Sequence, residues 1–364
     1  MTGRFDVIVV GAGAMGSATA WWLTRRGAAV LLLEQFEQGH RRGSSHGGSR
    51  IFRFAYPDPA YVRLAQEALG CWREAEDDTG VTMLETTGAV DHGDDRITGR
   101  IAGAMRECGA SFELLTAEAA AERFPGMRFA TQALYHPDGG RCLPDTALRA
   151  FQERAAQLGA DMRFNTGRAR LAVSGGVVTV SFGEERAEAP VAVVTAGAWV
   201  EETLGGLMSG LPRLVVTQEQ IAHFPARDSR QEWPSFIDHS RGATGIYGLR
   251  TPGEGVKAAH HMGGAATTGD GRDFAIDTAH TAEIVRYVEE WLPGLVPEPQ
   301  NMTTCLYTTT PNEDFIIDRQ GPLVVGSPCS GHGFKFTPVI GRMLADLAQG
   351  VTAPRGRFSL GMPL

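Results

Sequence analysis

No apolar run in this 364-residue chain reaches the roughly 18 residues that a membrane-spanning helix needs, so no membrane partner is expected. Positive charge is also scarce. Lys and Arg number 34 against 42 Asp and Glu, and a net charge of -8 argues against nucleic acid or anionic lipid as a partner. The five cysteines are an odd count without CxxC spacing. That pattern excludes a ready metal site or disulfide framework and suits a reducing cytoplasm. The first strand pattern begins after a few residues, which leaves no room for a charged region plus a signal-peptide core. There is no internal repeat and no low-complexity linker. What remains is a chain with 43% hydrophobic residues and room for two domains, which the missing linker predicts to be interleaved.

The clearest local motif lies near the start. Residues 6–10 form a short apolar, β-branched run, the pattern of a buried parallel strand. It leads directly into Gly11-x-Gly13-x-x-Gly16. The first glycine allows the tight turn, the second lets the backbone approach a pyrophosphate, and the third lets a helix pack on the strand. The predicted helix over 15–26 would aim its positive dipole end at the phosphates, with Gly27 as its C-terminal cap. A second strand over 29–33 ends in Glu34, where a ribose-binding carboxylate belongs in this motif. Alone, the motif would also suit an NAD-dependent dehydrogenase, a non-catalytic nucleotide-binding protein, or an ordinary βαβ turn with a solvated Glu34.

Further along, residues 39–53 read as a Gly/Ser/Arg-rich loop, and 61–78 and 144–158 as helices. Residues 88–91 and 133–136 read as strands. Residues 171–180 and 187–194 bracket Gly175-Gly176 and Gly183 as antiparallel strands would. The second of these runs closes on Thr195-Ala196-Gly197, suggesting a return to the nucleotide-binding unit. Alternating strands follow over 214–264, then a helix over 278–291 and a last one over 338–347.

Three strings near the end carry the most specific information: Cys305-Leu306-Tyr307, Asp314-Phe315-Ile316-Ile317-Asp318, and Ser330-Gly331-His332-Gly333-Phe334-Lys335-Phe336. Together with the glycine turn, the segment 43–56, Val194 to Trp199 and the surroundings of Lys257, they resemble the monomeric sarcosine oxidase and N-methyltryptophan oxidase group. That group belongs to the D-amino-acid-oxidase-like flavoproteins, and the resemblance spans essentially the whole chain. It implies an α/β protein in which a Rossmann-type FAD-binding domain (1–80, 142–213 and 305–364) interleaves with a substrate domain (81–141 and 214–304). The latter would be α+β, built on a mixed or antiparallel sheet.

The resemblance also implies roles. Cys305 matches the cysteine that carries FAD through a thioether at the 8α position; otherwise it is a small buried hydrophobe, as most free cysteines are. Cys329 has no such match and is expected in the core. Gly11, Gly13, Gly16, Glu34, His46, Gly331, Gly333 and Lys335 fall at cofactor-binding positions. Arg53 and Lys335 match the pair that holds a substrate carboxylate, the guanidinium by bidentate geometry and the ammonium as a point charge. Arg50 and Lys257 match cations beside the flavin ring, with Lys257 at the oxygen-reducing position. His46, Tyr247, His261 and Tyr307 match pocket-lining positions, with His261 and Tyr307 orienting the substrate. His332 is expected to shape its loop rather than act as a base.

Two departures bear on the substrate. The loop reads Ser45-His46 and Gly48 where two histidines and an aspartate are usual, and Leu249-Arg250 replaces an expected aromatic. Arg250 would either receive a second anionic group at the pocket mouth or be solvated. The expected activity is FAD-dependent oxidation of a secondary amine in an N-methyl or cyclic amino acid to an imine. Oxygen would be reduced to hydrogen peroxide by a monomeric enzyme. A flavin dehydrogenase, or a biosynthetic imino-acid oxidase with a substrate other than sarcosine, is the alternative.

Overall fold

A computed structural model describes residues 4–242, 245–354 and 356–360. Positions 243 and 244, within the span expected to alternate strands, and the ends of the expected FAD-binding segments lie outside the described residues.

The first strand, Val7–Val10, is wholly buried and forms the middle of a six-stranded sheet. It pairs in parallel with Val30–Leu33 on one side and Val191–Val194 on the other. Leu323–Ser327 continues the parallel order beyond Val191–Val194, Asp161–Arg163 closes one edge, and the antiparallel Ile316–Gln320 closes the other. Segments from both ends of the chain therefore share this sheet. Helices Ala14–Arg25, Pro59–Thr79, Pro144–Gln157 and Thr337–Ala348 cover one face over a core that includes Trp21, Trp72, Phe151 and Phe336. The Trp22 indole N–H ties the first of these helices to the last by donating to the Pro338 carbonyl.

The expected helices and the strand 133–136 occur within a few residues of their predicted limits. Three features differ. Pro190 ends one strand and a new one begins at once, so residues 185–189 stay in a three-stranded antiparallel sheet while Val191–Val194 enters the parallel one. Inside the expected loop 39–53, Arg50–Phe52 forms a strand paired with Gly140–Cys142. The amphipathic helix Asp95–Glu107 was not anticipated; Asp94 caps it by accepting from the Arg96 and Ile97 N–H groups.

The second large sheet has nine strands, mostly antiparallel. Its longest member, Val215–Phe224, lies near one end of the strand order and pairs with Asn301–Thr309 along its length. Residues directly opposite one another share a face, and the face alternates with each residue. On one face Val90, Ala222, Phe224, Phe236, Ile246, Val256 and Ala258 pack against Ile284, Tyr287 and Val288 of helix Thr278–Trp291. The other face carries Asp91, Tyr247, Lys257, His223, Glu219, Cys305 and Tyr307, linked by the registers Tyr247↔Ala259, His223↔Lys257, Glu219↔Cys305 and Thr217↔Tyr307.

Gly16 shows how closely the first helix and strand must approach. A Cβ there would lie 1.8 Å from the Gly11 carbonyl oxygen, so helix and strand would have to separate. Gly16→Ala is expected to cost about 1–3 kcal/mol through overpacking. It should also lower the flavin retained on purification, read as the ratio of visible to ultraviolet absorbance. Full flavin content with parental stability would refute this reading of the turn.

Candidate active site

A cavity of about 360 Å³ runs between the two sheets. One end is walled by the glycine turn, including Gly11 and Gly13, and by Glu34; the other by Arg50, Cys305, Tyr307, Gly333 and Phe334. Glu34 is not a solvated acid. It is buried, and its Oε2 accepts from the Ala12 N–H at 2.9 Å while Oε1 accepts from the Phe36 N–H at 3.1 Å. The carboxylate thus locks the turn to the end of the second strand, facing the cavity. The helix N-terminus receives the Ser45 hydroxyl, which accepts from the Ala14 N–H at 2.9 Å.

The loop 44–50 is folded around Arg50. Its guanidinium donates to the carbonyls of Ser44, His46 and Ser49 at 2.8–2.9 Å, which leaves the charge on the cavity wall with its backbone partners satisfied. Lys257 reaches the same loop, donating to the Ser49 carbonyl at 2.7 Å. Burial, and then Arg50, hold its ammonium well below the ordinary lysine range. Arg272 closes the loop from the outside, donating to the carbonyls of Arg41 and Arg42 and to Thr304 on the strand that bears Cys305. Nothing in its sequence context marked Arg272, because its partners are more than two hundred residues away for the loop.

Cys305 lines the cavity, where burial raises its thiol pKa and Arg50 opposes the rise. Cys329, expected in the core, also lies on the cavity wall, where its Sγ accepts from the Thr308 N–H at 3.3 Å. His46 is buried with an unpartnered Nε2 and is not among the residues lining the cavity. Gly331 has a φ of +73°, and a Cβ there would meet the Tyr307 ring at 2.4 Å and the His261 ring at 2.8 Å. That position needs glycine because the two rings close over it.

Beyond Tyr307 is a second polar cluster. Arg53 sits with its guanidinium 4.6 Å over the Tyr56 ring and 3.5 Å from Asp91. Asp91 is fully buried, and its Oδ1 also meets His239 Nε2 at 2.8 Å. Burial alone would raise this carboxyl, but Arg53 and His239 outweigh it and hold it below the usual range. Lys335 is buried and donates to the Tyr56 hydroxyl at 2.9 Å and the His332 carbonyl at 2.7 Å. No carboxylate lies within ion-pair distance of Lys335 or Lys257 among the described residues. His261 lies 5.8 Å from the Tyr307 ring and Tyr247 interacts with the same tyrosine, so the residues singled out from the sequence converge here. Asp91 and His239 went unnoticed, although an acid in the apolar strand Ala89–His92 was itself a signal. Arg250 neither lines the site nor stands free in solvent. It lies on the opposite face of the sheet, donating to the Gln231 and Ser229 carbonyls.

Residues 6–347 match the family described as FAD dependent oxidoreductase. The chain belongs to that family. Over 98% of its length it is 34% identical to the monomeric sarcosine oxidase of Streptomyces avermitilis, covering 97% of that chain. It is 33% identical to the peroxisomal sarcosine oxidase of Homo sapiens over 96% of this chain and 93% of that one. Among solved structures, NikD, an unusual amino acid oxidase essential for nikkomycin biosynthesis, superposes with a TM-score of 0.88 at 25% identity, covering 99% and 98% of the two chains. The protein is therefore an FAD-dependent oxidoreductase with the amine- and amino-acid-oxidase fold. The cavity fits that cofactor: a glycine turn and helix N-terminus at one end suit a pyrophosphate, and a thiol and cations at the other suit an electron-accepting ring. No helix among the described residues is long and apolar enough to cross a membrane, and all five cysteines are free.

The site is also an acid-sensitive part of the molecule. Burial lowers His46 to about 3, and His136, His223 and His261 to about 4. Each is neutral when folded and would accept a proton near pH 6.5 when unfolded. Their contribution to stability is therefore complete above about pH 6.5 and is lost as pH falls toward 4. The expected slope of unfolding free energy in that window approaches about 1.4 kcal/mol per pH unit for each such histidine. Urea melts of the flavin-loaded protein would measure it, and a flat profile between pH 6.5 and 4.5 would contradict it.

Proposed function

We propose that the protein oxidises a secondary amine in an N-methyl or cyclic amino acid to an imine, passing electrons through FAD to oxygen and releasing hydrogen peroxide. The observation that carries this reading is the pairing of two sheltered cationic side chains, the half-buried Arg53 and the buried Lys335, with a cavity ending at Cys305 and Tyr307. Bound FAD supplies a two-electron acceptor. Arg53 and Lys335 bind the substrate carboxylate, and both are sheltered enough for charge-assisted hydrogen bonds to matter. Tyr307, Tyr247 and His261 orient the amine end. His261 is neutral at physiological pH, so it hydrogen-bonds without adding charge. The names of the relatives and of NikD support a secondary amine and leave room for a substrate other than sarcosine. Asp91 beside Arg53 and the absence of an aromatic at Leu249 favour such a substrate. The protein is taken to act as a monomer on a small molecule in a reducing compartment, which keeps its cysteines out of disulfides. Anaerobic bleaching of the flavin by a panel of N-methyl and cyclic amino acids tests the reading. A panel that leaves the flavin oxidised would overturn it.

Truncating either carboxylate cation should weaken binding of a simple carboxylate by roughly tenfold to a hundredfold, the cost of about 1.5–3 kcal/mol for a charged hydrogen bond. Spectral titration of the flavin with 2-furoate would read this in Arg53→Ala and Lys335→Ala. Parental affinity in both would refute the assignment.

We further assign Cys305 as the residue joined to FAD at the 8α position, with Gly11, Gly13, Glu34 and Gly333 forming the surrounding cradle, Gly16 and Gly331 keeping its walls close, and His46 left out of the lining. The acid-denatured polypeptide should keep its yellow colour and weigh more than the bare chain by one flavin. Cys305→Ser should release the cofactor on denaturation. Cys329 shares the same wall, so retention of covalent flavin in Cys305→Ser would move the bond there.

Lys257, beside Arg50, is the proposed oxygen site. Its ammonium is depressed by burial, and a negative charge arriving next to it raises it again. Lys257→Met keeps the stem and removes the charge. Reduction by substrate should be little changed, while reoxidation slows by an order of magnitude or more, as loss of an electrostatic partner for developing charge requires. Stopped-flow mixing of the pre-reduced enzyme with oxygen separates the two; an unchanged oxidative rate would favour the dehydrogenase alternative.

A further inference from the structure

An amino-acid substrate arrives as a zwitterion, and its ammonium must lose a proton before the adjacent C–H bond can give up a hydride equivalent. No carboxylate at the site is free to accept that proton. Asp91 is ionised, but it is committed to Arg53 and His239. Glu219 is committed to the Gly263 and Gly264 N–H groups and the Thr217 hydroxyl.

We propose that Lys335 takes this proton and that Tyr56 and His332 pass it to the surface, forming a one-directional relay. This rests on the amine-oxidising function proposed above. The relay is a chain of hydrogen bonds running from the buried interior outward. Lys335 Nζ donates to the Tyr56 hydroxyl oxygen at 2.9 Å, Tyr56 meets His332 Nδ1 at 3.1 Å, and His332 Nε2 meets the Glu313 carbonyl oxygen at 3.2 Å. A carbonyl only accepts, so Nε2 carries the imidazole proton and Nδ1 presents its lone pair. Tyr56 must then donate to Nδ1, which frees its oxygen to accept from Lys335. Every donor in the chain points outward.

The lysine has the right vacancy. A neutral amine offers two N–H donors and one lone pair. The two donors are used, by the Tyr56 oxygen and the His332 carbonyl. One position remains for the substrate. The α-nitrogen of an amino acid is two bonds from its carboxylate carbon, so a carboxylate held between Arg53 and Lys335 brings the ammonium to the same lysine. In the transfer an N–H bond of the substrate breaks and an Nζ–H bond forms, leaving a neutral amine and a charged Lys335 that pairs with the substrate's own carboxylate. Outward passage moves one Nζ proton to the Tyr56 oxygen as the Tyr56 proton moves to Nδ1. His332 then releases its Nε2 proton to water and regains its starting tautomer by exchange at its half-buried ring.

The charges around the chain agree with this direction. Lys335 faces Arg53 and Cys142, and burial followed by Arg53 holds its ammonium well below the usual range. His332 faces Lys335, His261 and Arg53, and burial followed by Lys335 depresses it as well, so it passes a proton on rather than storing it. Tyr56 faces Arg53, Asp91 and Tyr61, and burial raises its hydroxyl, so it conducts without ionising.

Two measurements on the flavin-loaded protein test the relay. The first is calorimetry of 2-furoate binding at pH 7 in two buffers of different ionisation heat. A carboxylate without an amine brings no proton, so binding should draw about one from solution to charge Lys335; no uptake would overturn the proposal. The second is anaerobic flavin reduction in Tyr56→Phe, which keeps the ring and removes the hydroxyl, with His332→Gln as an independent interruption. With sarcosine or L-proline at pH 7, reduction should slow by roughly tenfold or more. The loss should vanish as pH rises toward the amine's own pKa, because solution then delivers the neutral amine. A rate loss equal at every pH would mark a structural role and refute the relay. Proton uptake needs no turnover. A parent enzyme that no amine reduces would therefore refute the oxidase reading, while the uptake count would still decide the relay.

Discussion

The alternation of side chains across the nine-stranded sheet is the constraint on which the site depends. Residues opposite one another in a strand pair face the same way, so registers such as Glu219↔Cys305 and His223↔Lys257 sort the sheet into two surfaces. One is apolar and buried under helix Thr278–Trp291; the other carries Cys305 and Tyr307, which line the cavity, together with Lys257 and Tyr247. A slip of one residue in any central pairing would bury Lys257 under the helix and expose Val256 or Ala258 to the cavity. The apolar face therefore fixes the positions of the polar one, and hydrophobic burial becomes the source of the site's geometry.

The polar surface gathers cations without matching acids. Lys257 and Lys335 have hydrogen-bond partners that are carbonyls and a hydroxyl, and Arg50 is held by three carbonyls. Such groups satisfy donors without cancelling charge. Of these four cations, only Arg53 has an acid within ion-pair distance among the described residues, and that acid is oriented by His239. The arrangement disfavours the charged form of both lysines, whose ammonium groups burial holds well below the ordinary range. It also leaves an electropositive interior that a carboxylate, a reduced flavin or reduced oxygen would each relieve.

What could be read in the sequence was mostly local. The glycine turn, Glu34 and the following helix lie within some thirty residues, and the turn's stereochemistry dictates the residue types at each step. The strings at Cys305 and Gly331 were legible through their resemblance to known flavoproteins, which also pointed to Arg53 and Lys257. Distant partnerships were not legible. Tyr56 and His332 are 276 positions apart, and His239 and Asp91 are 148 apart. His332 looked like a loop-shaping residue because its role depends on which tyrosine the fold brings to it. Arg250 looked like a pocket or surface residue because the sheet face it occupies is set by pairing with Val256. Helix Asp95–Glu107 was passed over although Asp94 is a good cap, since its apolar stripe is short and broken by glycines.

The central sheet places Val7–Val10 between segments drawn from near residues 30 and 190, with the next strand beginning at Leu323. The Trp22–Pro338 hydrogen bond repeats that closure at the level of the helices. During synthesis the glycine turn is made well before the segments that complete its sheet and its covering helix. Native-like contacts of such long sequence separation form slowly. Until the strand Leu323–Ser327 and the helix Thr337–Ala348 have been made, the nucleotide cradle is unfinished and strand edges stay unpaired. The complete cradle therefore exists only once those distant segments are in place, so the flavin binds a product of nearly the whole fold rather than of the glycine turn alone.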